Sequence, residues 1–331
     1  MALYCACEPD DFLFNGPITD STSSDNFDST YGIRYAFRCE GFSSSSEIVN
    51  FGTFSGDFWI RFRFKFDNST PFLGDVNLIS LKNAAGSSRA GIRSTTDERL
   101  IFFVRDSSDV VQDYYTLPIT ASLELTVDIQ LSGLGTSSGK IGFYIDDVKV
   151  FEEEDINLQS TLNINSAVFG GVGSFSSRNP YISEVIWGDE PTIEARVALA
   201  APSGNGFYQD GDGGFGRVDE TLPDGSAIIF DAPNERSSFT QSTLAAVGDF
   251  TIRNVQVNSF ARYTGPGGAD DIRAFLRIGG ADYDNPTALT DLSAGYESYQ
   301  ANWLTNPSTG SGWTVADAIS TAMEFGIKTE S

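Results

Sequence analysis

Phe58-Trp-Ile-Arg-Phe-Arg-Phe-Lys-Phe66 decides the fold class. Successive side chains of an extended strand point to opposite sides, so Phe58, Ile60, Phe62, Phe64 and Phe66 share one face while Trp59, Arg61, Arg63 and Lys65 share the other. Such a period predicts an antiparallel strand buried on one side only. Leu123-Glu-Leu-Thr-Val-Asp-Ile-Gln-Leu131 repeats it, with an aliphatic residue at every odd position. Residues 140–150 place Ile141, Phe143 and Ile145 on one side, turn at Asp146-Asp147 and return through Val148 and Val150, which predicts a hairpin. Residues 77–81, 100–105 and 181–187 add strands between clusters of Gly, Ser, Asn and Asp. Many short strands at such spacing predict an all-β sandwich, not a βαβ fold.

Alternation lapses between residues 188 and 206, so a domain boundary is placed near residue 193. Beyond it, residues 251–263 and 272–278 alternate again and are joined by Thr264-Gly-Pro-Gly-Gly-Ala-Asp270. One helix is predicted, over residues 315–323, where Thr314 precedes an Ala-rich stretch and Asp317 occupies the third helical position. A length of 331 residues accommodates two domains, each able to bury a core. Aromatic residues are 13% of the chain, with 26 Phe, and that much ring surface requires packed interiors.

Formal net charge is −24, from 45 acidic and 21 basic residues, which disfavours non-specific binding to nucleic acid or anionic lipid. The start of the chain carries neither a basic n-region nor an apolar h-region, and no apolar run reaches spanning length, so cytosolic synthesis without a membrane anchor is expected. Three cysteines, Cys5, Cys7 and Cys39, are too few for a disulfide scaffold. One bond from the Cys5/Cys7 pair to Cys39, or thiols pairing between subunits, stays open. A zinc site is disfavoured because no fourth soft ligand accompanies them.

The order of signals over residues 36–192 resembles the laminin-G/concanavalin-A-like jelly roll. The resembling segments are Phe37-Arg-Cys-Glu-Gly41, Gly56-Asp-Phe-Trp-Ile60, Phe143-Tyr-Ile-Asp-Asp147 and Ser183-Glu-Val-Ile-Trp187. That family prefers Gly where this chain has Asp147, which weakens the expectation of a primed turn. Residues 193–331 are similar to a C-terminal module of tailed-phage structural proteins. Here the segments are Val218-Asp-Glu-Thr-Leu-Pro-Asp-Gly225, Val255-Gln-Val-Asn-Ser-Phe-Ala-Arg262, Leu276-Arg-Ile-Gly-Gly-Ala-Asp-Tyr-Asp284, Tyr299-Gln-Ala-Asn-Trp-Leu-Thr-Asn-Pro307 and Gly312-Trp-Thr314. The two resemblances imply an N-terminal arm (1–35), a lectin-like sandwich (36–192) and a virion module (193–331). They further imply a non-enzymatic virion surface protein, as head fibre, capsid decoration or tail appendage. Its expected partners are other virion proteins, further copies of itself, with a trimer the usual state of appendages, and a host-surface polysaccharide. A cell-surface glycan-binding module and a glycosidase are the alternatives.

The chain contains no histidine, which removes the commonest general base, triad member and metal ligand together. Glycosidases of the concanavalin-A-like fold use two carboxylates, often presented on one face of a single strand as Glu-x-Asp-x-x-Glu, and that spacing is absent. The densest acidic run, Glu152-Glu-Glu-Asp155, reads as a solvated loop. Asp210-Gly-Asp-Gly-Gly214 suggests calcium through Asp210 and Asp212, but the twelfth position is Thr221 where an EF-hand has a bidentate Glu, and an ordinary turn is the preferred reading. Calcium at the sandwich rim through Asp67, Asp75 or Asp97 is a further candidate. No other cofactor is expected. The outward residues Trp59, Arg61, Arg63 and Lys65 offer a sugar- or partner-binding face, set against the plainer expectation that they pair with Asp and Glu on neighbouring strands.

Overall fold

The computed structural model describes residues 3–6, 13–14, 20–21, 33, 36–38, 46–48, 53–66, 76–106, 108–119, 123–159, 163–170, 180–219, 226–244, 250–265 and 270–330. The fold is all-β, and every strand pairing among these residues is antiparallel. The chain divides into two compact units, one of Met1–Asp28 with Arg34–Val197 and the other of Ser29–Ile33 with Ala198–Ser331. The boundary expected near residue 193 falls inside the segment that closes the first unit.

The first unit comprises β1 (Leu3–Ala6), β2 (Leu13–Phe14), β3 (Asp20–Ser21), β4 (Ala36–Arg38), β5 (Ser46–Ile48), β6 (Phe58–Phe66), β7 (Val76–Lys82), β8 (Ser88–Ser94), β9 (Arg99–Arg105), β10 (Val111–Pro118), β11 (Glu124–Ser132), β12 (Gly139–Ile145), β13 (Val148–Ile156), β14 (Ser166–Phe169) and β15 (Pro180–Gly188). One sheet runs β13-β12-β11-β6-β15-β4-β3, with β1 also pairing β15, and the other runs β10-β9-β8-β7-β14-β5-β2. The period-two pattern supplies the core between them. Phe58, Ile60, Phe62 and Phe64 of β6 and Leu125, Val127, Ile129 and Leu131 of β11 join one cluster with Ile79, Leu81, Ile92 and Phe102 of the opposite sheet. Across the two sheets Phe102 stacks on Phe143 at 5.0 Å and Phe62 meets Phe169 edge-on at 5.8 Å, geometries that aromatic quadrupoles favour.

Two local expectations change. The run Glu152-Glu-Glu-Asp155 is not a loop but lies inside β13, at the edge of its sheet. An edge strand faces water on one side, which lets charged residues replace apolar ones without losing the ladder, and Lys140 bonds both Glu152 and Glu154 across it. At the β12–β13 hairpin Asp146 and Asp147 adopt φ of 49° and 66°. Left-handed backbone at both central residues is the primed turn that matches strand twist, formed here without glycine.

The second unit comprises β16 (Pro202–Gln209), β17 (Arg236–Gln241), β18 (Val255–Ala261), β19 (Ile272–Ile278), β20 (Ala281–Asp284), β21 (Glu297–Trp303), α1 (Val315–Ala318) and β22 (Met323–Thr329). A five-stranded sheet, β16-β17-β22-β19-β20, packs with the ribbon β18-β21. Although β18 and β19 are neighbours in sequence they do not pair. β18 takes β21 as partner, and β19 lies between β20 and β22. Val257, Leu276, Tyr299, Trp303, Trp313 and Met323 share the core, where the Trp313 indole N–H donates to the Trp303 carbonyl at 2.6 Å. Close packing is enforced at Gly326, where a Cβ would stand 2.3 Å from the Ser237 carbonyl oxygen. The predicted helix shrinks to Val315–Ala318. Its capping box forms between Thr314 and Asp317, but Met323 is claimed by the core and by pairing with Ile278, so tertiary contacts override the helix preference of the Ala-rich stretch. Among the described residues no helix is long and apolar enough to cross a membrane.

Candidate functional site

The outward face of β6 is built by register. Opposite Trp59, Arg61, Arg63 and Lys65 stand Gln130, Asp128, Thr126 and Glu124 of β11, so each cation meets a polar side chain across the pair. On the other flank β15 carries a bulge between Ser183 and Ile186, and Glu184 within it takes φ of 53°. The extra residue aims the Glu184 carboxylate at Arg63, which donates to it from Nε at 2.7 Å. Arg63 also donates to Glu124 at 3.0 Å, and the Lys65 ammonium lies 3.8 Å from Glu124.

Arg61 is the centre of the face. Its side chain is 4% exposed and that of Asp128 is 0% exposed. Nη1 donates at 2.7 Å to Asp128 and at 2.7 Å to Asp147. The segment following β15 closes over this pair: Thr192 Oγ1 donates to the second Asp128 oxygen at 2.7 Å, the Glu194 N–H donates to Asp147 at 2.8 Å, and Arg196 Nη2 donates to Asp147 at 3.1 Å. The left-handed turn thus places a carboxylate where three donors converge. Trp59 is buried beside Tyr144 at 5.7 Å. The accessible part of the face is therefore confined to Arg63 and Lys65, both half-buried.

The two carboxyls are driven in opposite directions. Burial pushes Asp128 up to about 6, although Arg61 and the Thr192 hydroxyl act against it. Burial acts in the same sense on Asp147, but hydrogen bonds from Arg61, the Glu194 N–H and Arg196 outweigh it and hold that carboxyl at about 2. A pair of carboxyls with separated pKa values is a signature of acid–base catalysis, yet access matters equally. Both Asp128 oxygens are occupied by Thr192 and Arg61 beneath the closing segment, so this pair is a fastener. Asp128 was legible as an outward residue of the 123–131 alternation, whereas nothing in the sequence singled out Thr192 or Arg196.

The remaining candidates separate. Asp210 accepts from the Arg236 N–H at 3.0 Å, and Asp212 forms an isolated bridge with Ile229. Gly211 between them is buried, and a Cβ there would meet Ile228 at 2.5 Å, so this glycine serves turn packing. Asp97 is exposed in the turn between β8 and β9, and Asp67 and Asp75 lie outside the described residues. Among the described residues no group of three or more His, Cys, Asp or Glu side chains converges as a metal site. Cys5 is half-buried on β1 opposite Ile186; Cys7, Cys39 and Thr221 lie outside the described residues.

No protein-family model matches the chain, and no curated protein matches it. Among solved structures, the receptor binding domain of botulinum neurotoxin C/D mosaic serotype aligns over 82% of this chain and 67% of its own, at 11% identity and a TM-score of 0.43. The endo-beta-1,4-glucuronan lyase from the fungus Trichoderma reesei aligns over 54% of this chain and 90% of its own, at 14% identity and a TM-score of 0.40. Likenesses at this level carry no argument about what the chain does.

Proposed function

We propose that this chain is a non-enzymatic component of a phage virion surface, with the second unit docking on the particle and the first facing outward toward host-surface polysaccharide. The observation that carries the non-enzymatic part is the use of the perturbed carboxyls. Asp128 and Asp147 bond Arg61, Thr192, Glu194 and Arg196, and the Asp128 side chain is 0% exposed, which withholds its carboxyl from protonating or attacking a substrate. The virion part rests on the resemblance of the second module. Of its five segments, 255–262, 276–284 and 299–307 overlap β18, the β19–β20 hairpin and β21, 312–314 lies in the loop before α1, and most of 218–225 lies outside the described residues. On this reading a disulfide from Cys5, Cys7 or Cys39 joins subunits, and acidic surfaces keep crowded copies apart.

Labelling purified particles with antibody against the chain tests the location, and hydrolysis assays on an oligosaccharide panel test the chemistry. Antibody bound at regular positions and no turnover are expected. Unlabelled particles sink the virion assignment, and turnover of any oligosaccharide sinks the non-enzymatic one.

A further inference from the structure

The ribbon β18-β21 buries one face and shows another. Val257, Tyr299, Ala301 and Trp303 point into the core of the second unit, so the residues between them point away. These are Asn254 just before β18, Gln256 and Asn258 within it, and Gln300 and Asn302 on β21, with Gln256 opposite Asn302 and Asn258 opposite Gln300. Asn and Gln together make up 24 of the 331 residues, yet five of them gather on this one small face. None is fully buried, and Asn258 is exposed. Asn is depleted from strands, yet Asn258 and Asn302 both lie within this paired ribbon. They are also ordered: Asn254 donates to Asn302 at 2.7 Å, and Gln256 to Asn258 at 2.5 Å.

The same face ends in a stack. Phe260 and Tyr296 lie parallel, 5.0 Å apart at 8°, and the Arg262 guanidinium sits 4.6 Å above the Tyr296 ring. Among the described residues Arg262 is the only cation that alternation places on this face, and no carboxylate interrupts it, although the chain as a whole carries −24.

We infer that this face binds a neutral oligosaccharide. Gln256, Asn258, Gln300 and Asn302 carry uncharged groups that both donate and accept, spaced about 4.8 Å across the ribbon and about 6.7 Å along it. A sugar chain presents hydroxyls that both donate and accept, and apolar C–H faces that an aromatic ring covers. Nucleic acid and anionic polysaccharides require cations, and this face offers one, engaged on Tyr296. The assignment stands independently of the virion reading.

Affinity electrophoresis of the full chain through gels containing dextran, galactomannan or xyloglucan tests it, with alginate as the anionic control. Retardation by at least one neutral polymer and not by alginate is expected. Asn258→Ala and Gln300→Ala should each weaken it about tenfold, the loss of one or two hydrogen bonds, with the thermal transition unchanged. If Gln300→Ala alters that transition, Asn258→Asp at the exposed position takes its place, with the same loss expected. No retardation by any neutral polymer, equal retardation of the variants, or preference for alginate overturns the inference. So does self-association in sedimentation that Asn258→Asp abolishes, since the face would then be covered by a second copy.

Discussion

Asp128→Asn is the most direct test of the buried fastener. The folded chain holds the Asp128 carboxyl at about 6 against an ordinary 3.8, so the folded state binds this proton more tightly than the unfolded state does. By linkage the contribution is fully stabilising below about pH 4 and is lost as pH rises through 6. A displacement of about two pH units, at about 1.4 kcal/mol each, amounts to about 3 kcal/mol. The substituted amide cannot titrate, so the stability gap between wild type and variant should change by about 2 kcal/mol between pH 4 and pH 7.5, whatever its starting value. Asp147 titrates near 2 and drops out of this window. Denaturant unfolding followed by tryptophan fluorescence reads the gap in the transition that the substitution displaces. Parallel stability curves across this range would refute the claim that Asp128 is buried at the cost of its ionisation.

Three further outcomes follow from the same geometry and from the second core. Arg61→Met leaves the Asp128 charge buried with the Thr192 hydroxyl alone, and should cost about 3–5 kcal/mol at pH 7.5, with part regained at pH 4; denaturant unfolding at the two values checks it. Asp147→Gly relieves a left-handed residue by about 1 kcal/mol but removes the acceptor of two arginines and an N–H, so calorimetry should show a net loss of about 1–2 kcal/mol. Trp313→Phe removes the indole donor to the Trp303 carbonyl and part of a buried ring, and should destabilise the second unit by about 2–3 kcal/mol, seen as an earlier transition in near-UV circular dichroism.

What was legible in the sequence is what depends on period. The alternation of residues 58–66 and 123–131 is enough to assign their inward and outward faces, and it places Arg61 and Asp128 on outward faces. Their meeting depends on register between strands 67 positions apart, which alternation alone does not set. The closing residues Thr192, Glu194 and Arg196 sit where the pattern lapses, and a segment that binds through single polar side chains leaves no period to read. The acidic run at 152–155 misled for a related reason, since charge reports exposure and an edge strand is as exposed as a loop. In the second unit residues 254–262 displayed their amides openly, but the face became visible only when β21 was found opposite with amides of its own.

The segment that closes over Arg61 has a mechanical consequence. Leaving β15 at Gly188, the chain is pinned by Thr192 on Asp128, then by Glu194 and Arg196 on Asp147, before it enters the second unit at Ala198. A pull on the chain at Ala198 reaches these three contacts before it reaches the ladder that joins β15 to β6. They can part and re-form one at a time, letting out a short length of slack while the sandwich stays whole. A protein tethered at one end and held at the other would meet a brief pull with its clasp, and only a sustained one with its sheet.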